Sequence, residues 1–401
     1  MNKQNGLPSW ELSKNVQDHQ INASYIRRMF EQGEELKKKF GSDKVFDFSL
    51  GNPDAEPPES VVMAYRKYAN GDYPGIHRYM SNAGFYEARE KIAAHISANS
   101  IVTVPASNVI MTVGAAGAIN ILMKTILNPG DEVIALAPYF MEYNFYVDNY
   151  QGKLTPVNTQ EDTFMPDPEL IERHICEKTK AIILNSPNNP TGVIYSAECL
   201  DAIEATLKKC EKKYGTKIFV ISDEPYIKIA YDGVKIPNML DHFENAIIIN
   251  SFSKSLALAG ERIGYAAVSG RIDCANEIMS GMIFCNRVLG FVNAPALAQI
   301  IVAENLDATV DINAFMEKRD ILYDIITGAG FECNKPQGAF YLFPKIMGND
   351  EEEFKERALK HNILIVPGFG VKGHFRAVYC IDINVIKNSR DAFMALAAEY
   401  A

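Results

Sequence analysis

The middle of the chain alternates short, nearly continuous apolar runs with amphipathic stretches of helical length. The apolar runs read NVIMTV, EVIALA, KAIILN, KIFVIS and NAIIIN, and the helical stretches include AGAINILMKTIL and ECLDAIEATLKKCEKKYG. Strands that are apolar on both faces and alternate with helices are typical of a parallel sheet covered on both sides. The sequence therefore predicts an α/β protein whose large domain has a mostly parallel central sheet flanked by helices.

The pattern changes after Pro295, where a long helical run from PALAQIIVAENL to AFMEKRDILYDIITGAG replaces the alternation. Separate strand candidates follow, GAFYLFP, ILIVPG and FRAVYCIDI, with a helix at EEEFKERALKHN. The strand candidate of the N-terminal part, VFDFSLG, is far from the central sheet in sequence. We therefore predict a large domain over residues 54–299 and a smaller, discontinuous α/β domain made of residues 1–53 and 300–401.

The composition argues against several classes of protein. The 401 residues carry a formal net charge of −10, whereas a nucleic-acid surface usually shows a basic patch. The first residues contain no apolar segment of the secretory kind, and no apolar run approaches the ~18 residues that span a bilayer. The seven cysteines form no CxxC pair and no metal-ligand spacing with histidines. We expect a cytoplasmic protein with no metal, nucleic-acid or membrane partner.

Polar residues follow two of the predicted strands in a pattern that suits a phosphate group. NVIMTV is followed by small residues at 114–117, which open a helix and let backbone N–H groups approach an anion. NAIIIN is followed by Ser251, Ser253 and Lys254, and Arg262 comes eight positions later. Because ligands bind at the carboxyl ends of parallel strands, hydroxyls, cations and a helix N-terminus at these positions favour a phosphate dianion.

A different chemistry is indicated after two other strands. KIFVIS is followed by Asp223, a carboxylate that would repel a phosphate. Such a carboxylate needs a cation as its partner, either a metal or a protonated base. Tyr226 adds a phenol donor three residues later. KAIILN leads into Asn185, Asn188 and Asn189 among three prolines, and cis peptide bonds concentrate at such positions. This loop is expected to hold an amide at a fixed place.

One ligand needs an anion site, a carboxylate, a phenol and an amine together: pyridoxal 5′-phosphate (PLP). On these motifs, which occur in the right order, the chain resembles the class I/II aminotransferases of fold type I, the aspartate aminotransferase superfamily, over essentially its whole length. The resemblance implies a fold type I PLP-dependent transferase. It also implies transfer of an amino group from an amino acid to a 2-oxo acid by a ping-pong mechanism.

The resemblance implies a cofactor role for each matching position. Lys254 matches the lysine that forms the internal aldimine, and Asp223 matches the partner of the pyridinium nitrogen. The other implied contacts are Arg262, Ser251, Ser253, Ala115 and Ala116 at the phosphate, Tyr226 and Asn189 at the ring oxygen, and Phe140 stacked on the ring. Lys254 must lose its proton to act, so we expect nearby cations and partial desolvation to lower its pKa.

The substrate and a second subunit also have implied contacts. Arg376, in GHFRAVY, matches the arginine that clamps the substrate α-carboxylate, and Gly51 and Asn189 match contacts on the substrate's other side. A guanidinium binds a carboxylate through two parallel hydrogen bonds, which a lysine cannot reproduce. Tyr79, in HRYMSNAG, matches a tyrosine that reaches the phosphate of the neighbouring subunit, which implies a homodimer.

Several questions stay open at this level. A PLP-dependent lyase of the same fold, such as a C–S lyase, a decarboxylase or an aminocyclopropane carboxylate synthase-like enzyme, is the alternative, because the shared residues serve a shared first step. The sequence does not determine the amino donor or the oxo-acid acceptor. It also leaves open whether Arg78 or Arg287 contacts the side chain of the substrate. GFGVKG matches the dinucleotide pattern GxGxxG but precedes a strand candidate, so we interpret it as a substrate loop.

Overall fold

The centre of the fold is a seven-stranded sheet, in a computed structural model that describes residues 44–71 and 73–401 together with 13, 16, 33 and 35–41. The described strands of this sheet and of two smaller sheets are, in chain order, β1 (Phe46–Asp47), β2 (Val109–Thr112), β3 (Glu132–Ala137), β4 (Lys153–Asn158), β5 (Thr179–Leu184), β6 (Phe219–Asp223), β7 (Ala246–Ser251), β8 (Gly264–Val268), β9 (Tyr341–Leu342), β10 (Ile363–Leu364), β11 (Val366–Pro367) and β12 (Phe375–Val378).

The helices with described bounds connect and cover these strands. They are α1 (Glu59–Ala69), α2 (Tyr86–Ala98), α3 (Gly114–Ile126), α4 (Glu142–Asp148), α5 (Pro168–His174), α6 (Ala197–Tyr214), α7 (Met239–His242), α8 (Phe252–Ser255), α9 (Ala275–Val288), α10 (Ala296–Glu304), α11 (Ile312–Gly328), α12 (Glu351–Lys360), α13 (Ile383–Asn388) and α14 (Arg390–Ala398).

The central sheet has the order β2-β8-β7-β6-β5-β3-β4. The neighbours from β7 to β4 are parallel, and β8 is antiparallel to both β2 and β7. The predicted mostly parallel α/β sheet is therefore confirmed. The sequence reasoning had not identified β4 or β8. β4 carries Pro156 and is partly exposed at the sheet edge, and β8 is a short run of mainly small residues, so neither shows the strong apolar signal of a central strand.

The strands alternate their side chains between two apolar cores, one on each face of the sheet. Val220 and Ile248 pack into one core, whereas Ile221 and Ile249 pack into the other. All of these side chains are buried, which is why the runs read as continuously apolar. Polar side chains can be accommodated only where a strand ends, so the functional groups collect there.

The helical run after Pro295 is two helices, α10 and α11, rather than one. Asp311 begins α11 by accepting hydrogen bonds from the backbone N–H groups of Asn313 (2.9 Å) and Ala314 (3.3 Å). This carboxylate cap satisfies free donors of the helix start and fixes the break in the helical run.

The C-terminal part forms its own layer of short strands and helices. β11, β12 and β9 make an antiparallel sheet, and β1 pairs in parallel with β10. Phe48, Phe340 and Phe375 belong to its apolar core, together with Tyr226 from the segment after β6. The proposed boundaries, residues 54–299 against 1–53 with 300–401, stay a prediction, and most of residues 1–43 lie outside the described part of the chain.

The loop at residues 368–373, GFGVKG, connects β11 to its antiparallel neighbour β12. A dinucleotide-binding turn leads from a strand into a helix, so this loop has the wrong context for that function. No helix in the described ranges is long and apolar enough to cross a membrane. Likewise, no group of three His, Cys, Asp or Glu side chains among the described residues is arranged to hold a metal ion. The cytoplasmic location stays a prediction.

Candidate active site

A cavity of about 430 Å³ lies where β6 and β7 end and α3 begins. Its wall contains all but one of the thirteen residues for which the resemblance implies a contact with the cofactor or the substrate. Those in the wall are Gly51, Ala115, Ala116, Phe140, Asn189, Asp223, Tyr226, Ser251, Ser253, Lys254, Arg262 and Arg376. This volume is in the range of pockets that bind cofactors and small substrates.

Lys254 lies on the one-turn helix α8, directly after β7. Ser251 begins that helix, because its Oγ accepts a hydrogen bond from the backbone N–H of Ser253 at 3.2 Å. The Lys254 Nζ donates to the backbone oxygen of Gly51 at 2.8 Å. Burial is the main cause that lowers the pKa of Lys254 to about 8, and the cations Arg376 and Arg262 act in the same direction. The amine therefore loses its proton far more readily than an exposed lysine, as the sequence reasoning expected.

Asp223 ends β6 and is fully buried against the cavity. The Tyr143 hydroxyl donates to its Oδ2 at 2.5 Å, whereas its Oδ1 is buried without a partner among the described residues. Burial raises the pKa of Asp223 to about 6, and the hydrogen bond from Tyr143 opposes that shift. Because a buried acceptor without a partner is unfavourable, the free oxygen suits a ligand that donates a proton or carries positive charge.

The two serines and Arg262 line the same cavity. Ser251 Oγ and Ser253 Oγ are 2.8 Å apart, and Arg262 is held by a hydrogen bond from its Nη1 to the backbone oxygen of Ala259 at 3.0 Å. Gly114, at φ 77°, opens helix α3 beside this guanidinium, and a Cβ there would lie 2.9 Å from Arg262 Nη2. The glycine therefore permits the helix start and the cation to approach, which suits an anion.

Arg376 on β12 is buried and has no carboxylate partner among the described residues. Its Nη1 donates to Asn189 Oδ1 at 3.1 Å and its Nη2 to the backbone oxygen of Ser49 at 2.9 Å, while its Nε has no partner among the described residues. The guanidinium carbon lies 4.6 Å from the centre of the Phe369 ring and 4.8 Å from that of Tyr341. Burial lowers the pKa of Arg376. The side chain is thus held in place with binding capacity left for an anion.

The sequence reasoning missed several tyrosines of the site, among them Tyr143 and Tyr341. Tyr143 donates to Asp223, and the hydroxyl of Tyr341 lies 2.6 Å from that of Tyr226. A Cβ on Gly51 would come within 2.9 Å of the Tyr341 hydroxyl, so a glycine is needed there. Tyr143 follows Phe140 by three residues in the sequence, but no local pattern distinguishes either tyrosine from a core aromatic residue.

Tyr79 is the predicted residue that does not line the cavity. Its side chain is 94% exposed, and with His77 and Arg78 it borders a separate cleft of about 290 Å³. Arg287 also lies outside the cavity wall, with its guanidinium carbon 5.6 Å from the centre of the Phe284 ring. The described chain therefore brings twelve of the thirteen predicted residues to one cavity.

Comparison with known proteins decides the family. The model of the family "Aminotransferase class I and II" matches residues 43–393, most of the chain. The chain belongs to the class I and II aminotransferases. The aminotransferase is 31% identical over 365 residues to the aspartate/prephenate aminotransferase of Thermus thermophilus, which covers 86% of this chain and 89% of that protein.

Solved structures give the same family and fold. An amino transferase from Eubacterium rectale is 37% identical, with a TM-score of 0.93, and the match covers 97% of this chain and 100% of that one. The aspartate aminotransferase of Thermus thermophilus with maleate is 29% identical, with a TM-score of 0.83 and the same coverage. The predicted transaminase class and fold type I architecture are confirmed. Enzymes of this family use PLP and act on amino acids and oxo acids.

Proposed function

We propose that this aminotransferase binds PLP in the 430 Å³ cavity and uses Lys254 to transfer the amino group of an amino acid to a 2-oxo acid. The observation that carries the proposal is that one cavity holds an amine with a pKa of about 8, a carboxylate oxygen of Asp223 and a guanidinium nitrogen of Arg376. Neither the oxygen nor the nitrogen has a hydrogen-bond partner in the part of the chain that the structure describes. An amine, a base for a ring nitrogen and a carboxylate receptor are the three groups that transamination needs.

The residues around the cavity fit the cofactor. Its phosphate would be held by the hydroxyls of Ser251 and Ser253, by Arg262 and by the backbone at the start of α3. Asp223 Oδ1 has capacity for the ring nitrogen, and Tyr226 and Asn189 have donors for the ring oxygen. Phe140 offers an aromatic face to the cofactor ring but has no polar group. The hydroxyl of its neighbour Tyr143 already donates a hydrogen bond to Asp223.

Each residue then has a defined task in the reaction. When bound, PLP supplies an electron sink for the bond that breaks at the substrate Cα. The neutral Nζ of Lys254 would accept the proton from the substrate Cα and would then donate it to a carbon of the cofactor. A pKa of about 8 allows the amine both to accept and to donate a proton near neutral pH. The charged form of Asp223 favours the protonated ring nitrogen. Arg376 binds the α-carboxylate and thereby orients the Cα–H bond towards the amine.

A second copy of the chain completes the proposed enzyme. Tyr79 does not line the cavity of its own chain and is 94% exposed. The side chains of Phe284 and Val288, one helical turn apart on α9, are 54% and 51% exposed. Contiguous exposed apolar patches mark association surfaces, and these two residues would belong to one. We propose a homodimer in which Tyr79 reaches the phosphate site of the neighbouring subunit. A fully active monomer in sedimentation would contradict this arrangement.

The test of the function is a half-reaction with Lys254→Ala. The purified protein loaded with PLP is mixed with an amino acid and no acceptor, and the conversion of the cofactor to its amine form is followed by absorbance. We expect conversion in the wild type and a loss of roughly 10⁴-fold in rate in the variant, because proton transfer at Cα loses its base. Lys235→Ala, an exposed lysine outside this cavity, serves as the matched control and should react within about twofold of wild type.

Two results would contradict the proposal in different ways. Full turnover by the Lys254→Ala variant would show that the amine has no part in the reaction. A wild type that breaks a bond in its substrate but never yields the amine form of the cofactor would favour the lyase alternative.

A further inference from the structure

Five charged side chains line the active-site cavity in the described part of the chain: Lys254, Arg262, Arg376, Asp223 and Glu142. Under the proposed function the first four are engaged, by the amine chemistry, the phosphate, the α-carboxylate and the ring nitrogen. Glu142 has no such role. It is therefore the charged group of the cavity that is left to meet the rest of the substrate.

Glu142 is the first residue of α4, two positions after Phe140, which lines the same cavity. Its carboxylate is half-buried and makes no hydrogen bond or ion pair with any described residue. Burial is the cause that raises its pKa, with no cation close enough to oppose the shift. Tyr146, one helical turn further on, also lines the cavity, and burial together with the negative charge of Glu142 raises its pKa.

A structural role does not account for this carboxylate. An acidic side chain in the first turn interacts favourably with the helix dipole, but here it forms no hydrogen bond with the free N–H groups of the turn. Buried carboxylates that serve stability are paired, as Glu211 is in this protein with the backbone N–H of Ile218 and the side-chain amide of Asn245. An unpaired carboxylate in a cavity wall is instead an available partner for a ligand.

We propose that Glu142 selects amino donors whose side chain carries a positive charge, such as an amine or a guanidinium, and disfavours donors with a second carboxylate. The inference rests on the proposed function, because it needs Arg376 to hold the α-carboxylate. Within one subunit, with that arginine and Arg262 engaged, no further cation of the described residues lines the cavity to receive an acidic side chain. The donor class thus differs from that in the printed name of the Thermus thermophilus relative, an aspartate/prephenate aminotransferase.

The test compares three amino donors in the PLP-loaded dimer: lysine or ornithine, alanine, and aspartate. For the wild type we expect kcat/KM in the half-reaction to be at least about tenfold higher for the basic donor than for aspartate. Glu142→Gln keeps the shape and removes the charge, so the ratio of the basic to the acidic donor should fall by about 10- to 100-fold. Because both donors are measured in one preparation, the ratio does not depend on how much of the variant folds.

Glu177→Gln is the matched control, since it removes one acidic charge from an exposed loop outside the cavity. Its donor ratio should stay within about twofold of that of the wild type. A wild type that prefers aspartate, or a ratio that Glu142→Gln leaves unchanged, would overturn the inference about Glu142. Alanine separates the two proposals: if it reacts while the ratio does not move, only the selection by Glu142 is wrong. If no donor converts the cofactor to its amine form, the proposed function itself fails.

Discussion

The active-site cavity and the Arg319 cluster each bury an arginine, but they treat its charge in opposite ways. The Arg319 cluster consists of Arg319 on α11, its carboxylate partners Asp232 and Asp320, and the Tyr231 ring beneath the guanidinium. Arg319 donates to Asp232 Oδ2 at 2.7 Å and to Asp320 Oδ1 at 2.8 Å. Burial alone would lower its pKa, but the hydrogen bonds to the two carboxylates outweigh burial and raise it.

In the cavity, by contrast, Arg376 has hydrogen-bond partners that are neutral, and burial lowers its pKa. Lys254 has a backbone oxygen as its partner and likewise forms no ion pair among the described residues. A buried charge that is paired supports the fold, whereas one left without a counter-charge is unfavourable until a ligand supplies it. The two regions should therefore respond to substitution differently, the Arg319 cluster in stability and the cavity in activity.

The largest effect is expected for Arg319→Met. It removes two ion pairs and a bond to the backbone oxygen of Pro336, so the free energy of unfolding should fall by about 3 to 4 kcal/mol. Chemical denaturation measures this change, and kcat/KM per folded active site should stay within about twofold. Arg173→Met, which breaks an exposed ion pair with Glu169, is the control and should cost less than about 1 kcal/mol. If the free energy of unfolding fell equally in the two variants, the ion pairs of the Arg319 cluster would be no more stabilising than an exposed ion pair.

The next effect concerns Lys254 and pH in the cofactor-free protein. Its pKa is about 8 in the folded protein against 10.5 ordinarily, so between these values the unfolded chain binds more protons and stability rises with pH. The unfavourable contribution of Lys254 is full below pH 8 and fades towards pH 10.5. Lys254→Met should therefore raise the free energy of unfolding by about 3 kcal/mol at pH 7, and the difference from wild type should shrink as the pH rises. A difference that is constant over this range would mean that the amine is not desolvated.

Arg376→Lys tests the unpaired guanidinium directly. A lysine keeps the charge but loses the fork that binds a carboxylate, so kcat/KM for the amino acid should fall about 100-fold, mainly through KM. Steady-state kinetics and denaturation of the same preparation separate binding from folding. If stability fell by several kcal/mol while KM held, Arg376 would belong with Arg319 as a structural cation.

The smallest effect is expected for Tyr143→Phe. The hydrogen bond from Tyr143 only shifts the pKa of Asp223, and the Asp223 carboxylate itself is retained in the variant. Losing it should raise the pKa of Asp223, which is about 6 with the bond present, and move the acid limb of the kcat/KM profile to higher pH by less than about one unit. Activity at pH 7 should fall by no more than about twofold, because at least half of Asp223 stays charged at that pH. Tyr139→Phe, whose hydroxyl bonds Asn144 instead, should leave the profile where it is.

Much of the site could be predicted because its groups follow strongly apolar strands. Asp223 and Ser251 each close a strand whose other residues are buried, so the change from apolar to polar marks both positions. Tyr143 and Tyr341 could not be found in this way, because they lie beside Asp223 and Tyr226 only after distant parts of the chain meet. Gly51 was predicted only through the family resemblance, and its contact with Lys254, which joins residues 203 positions apart, was not foreseen.

The sequence by itself determined the α/β architecture, the family and the chemical groups of the cavity, since periodicity and the residues at strand ends are local properties. Only the tertiary structure decided which of those groups keep a counter-charge. The sequence does not show which of Arg319, Arg376 and Glu142 is paired in the folded protein. They differ because folding brings carboxylates to Arg319, neutral oxygens to Arg376 and no partner among the described residues to Glu142. The free energy of a buried charge depends on such contacts, and these join residues far apart in the chain.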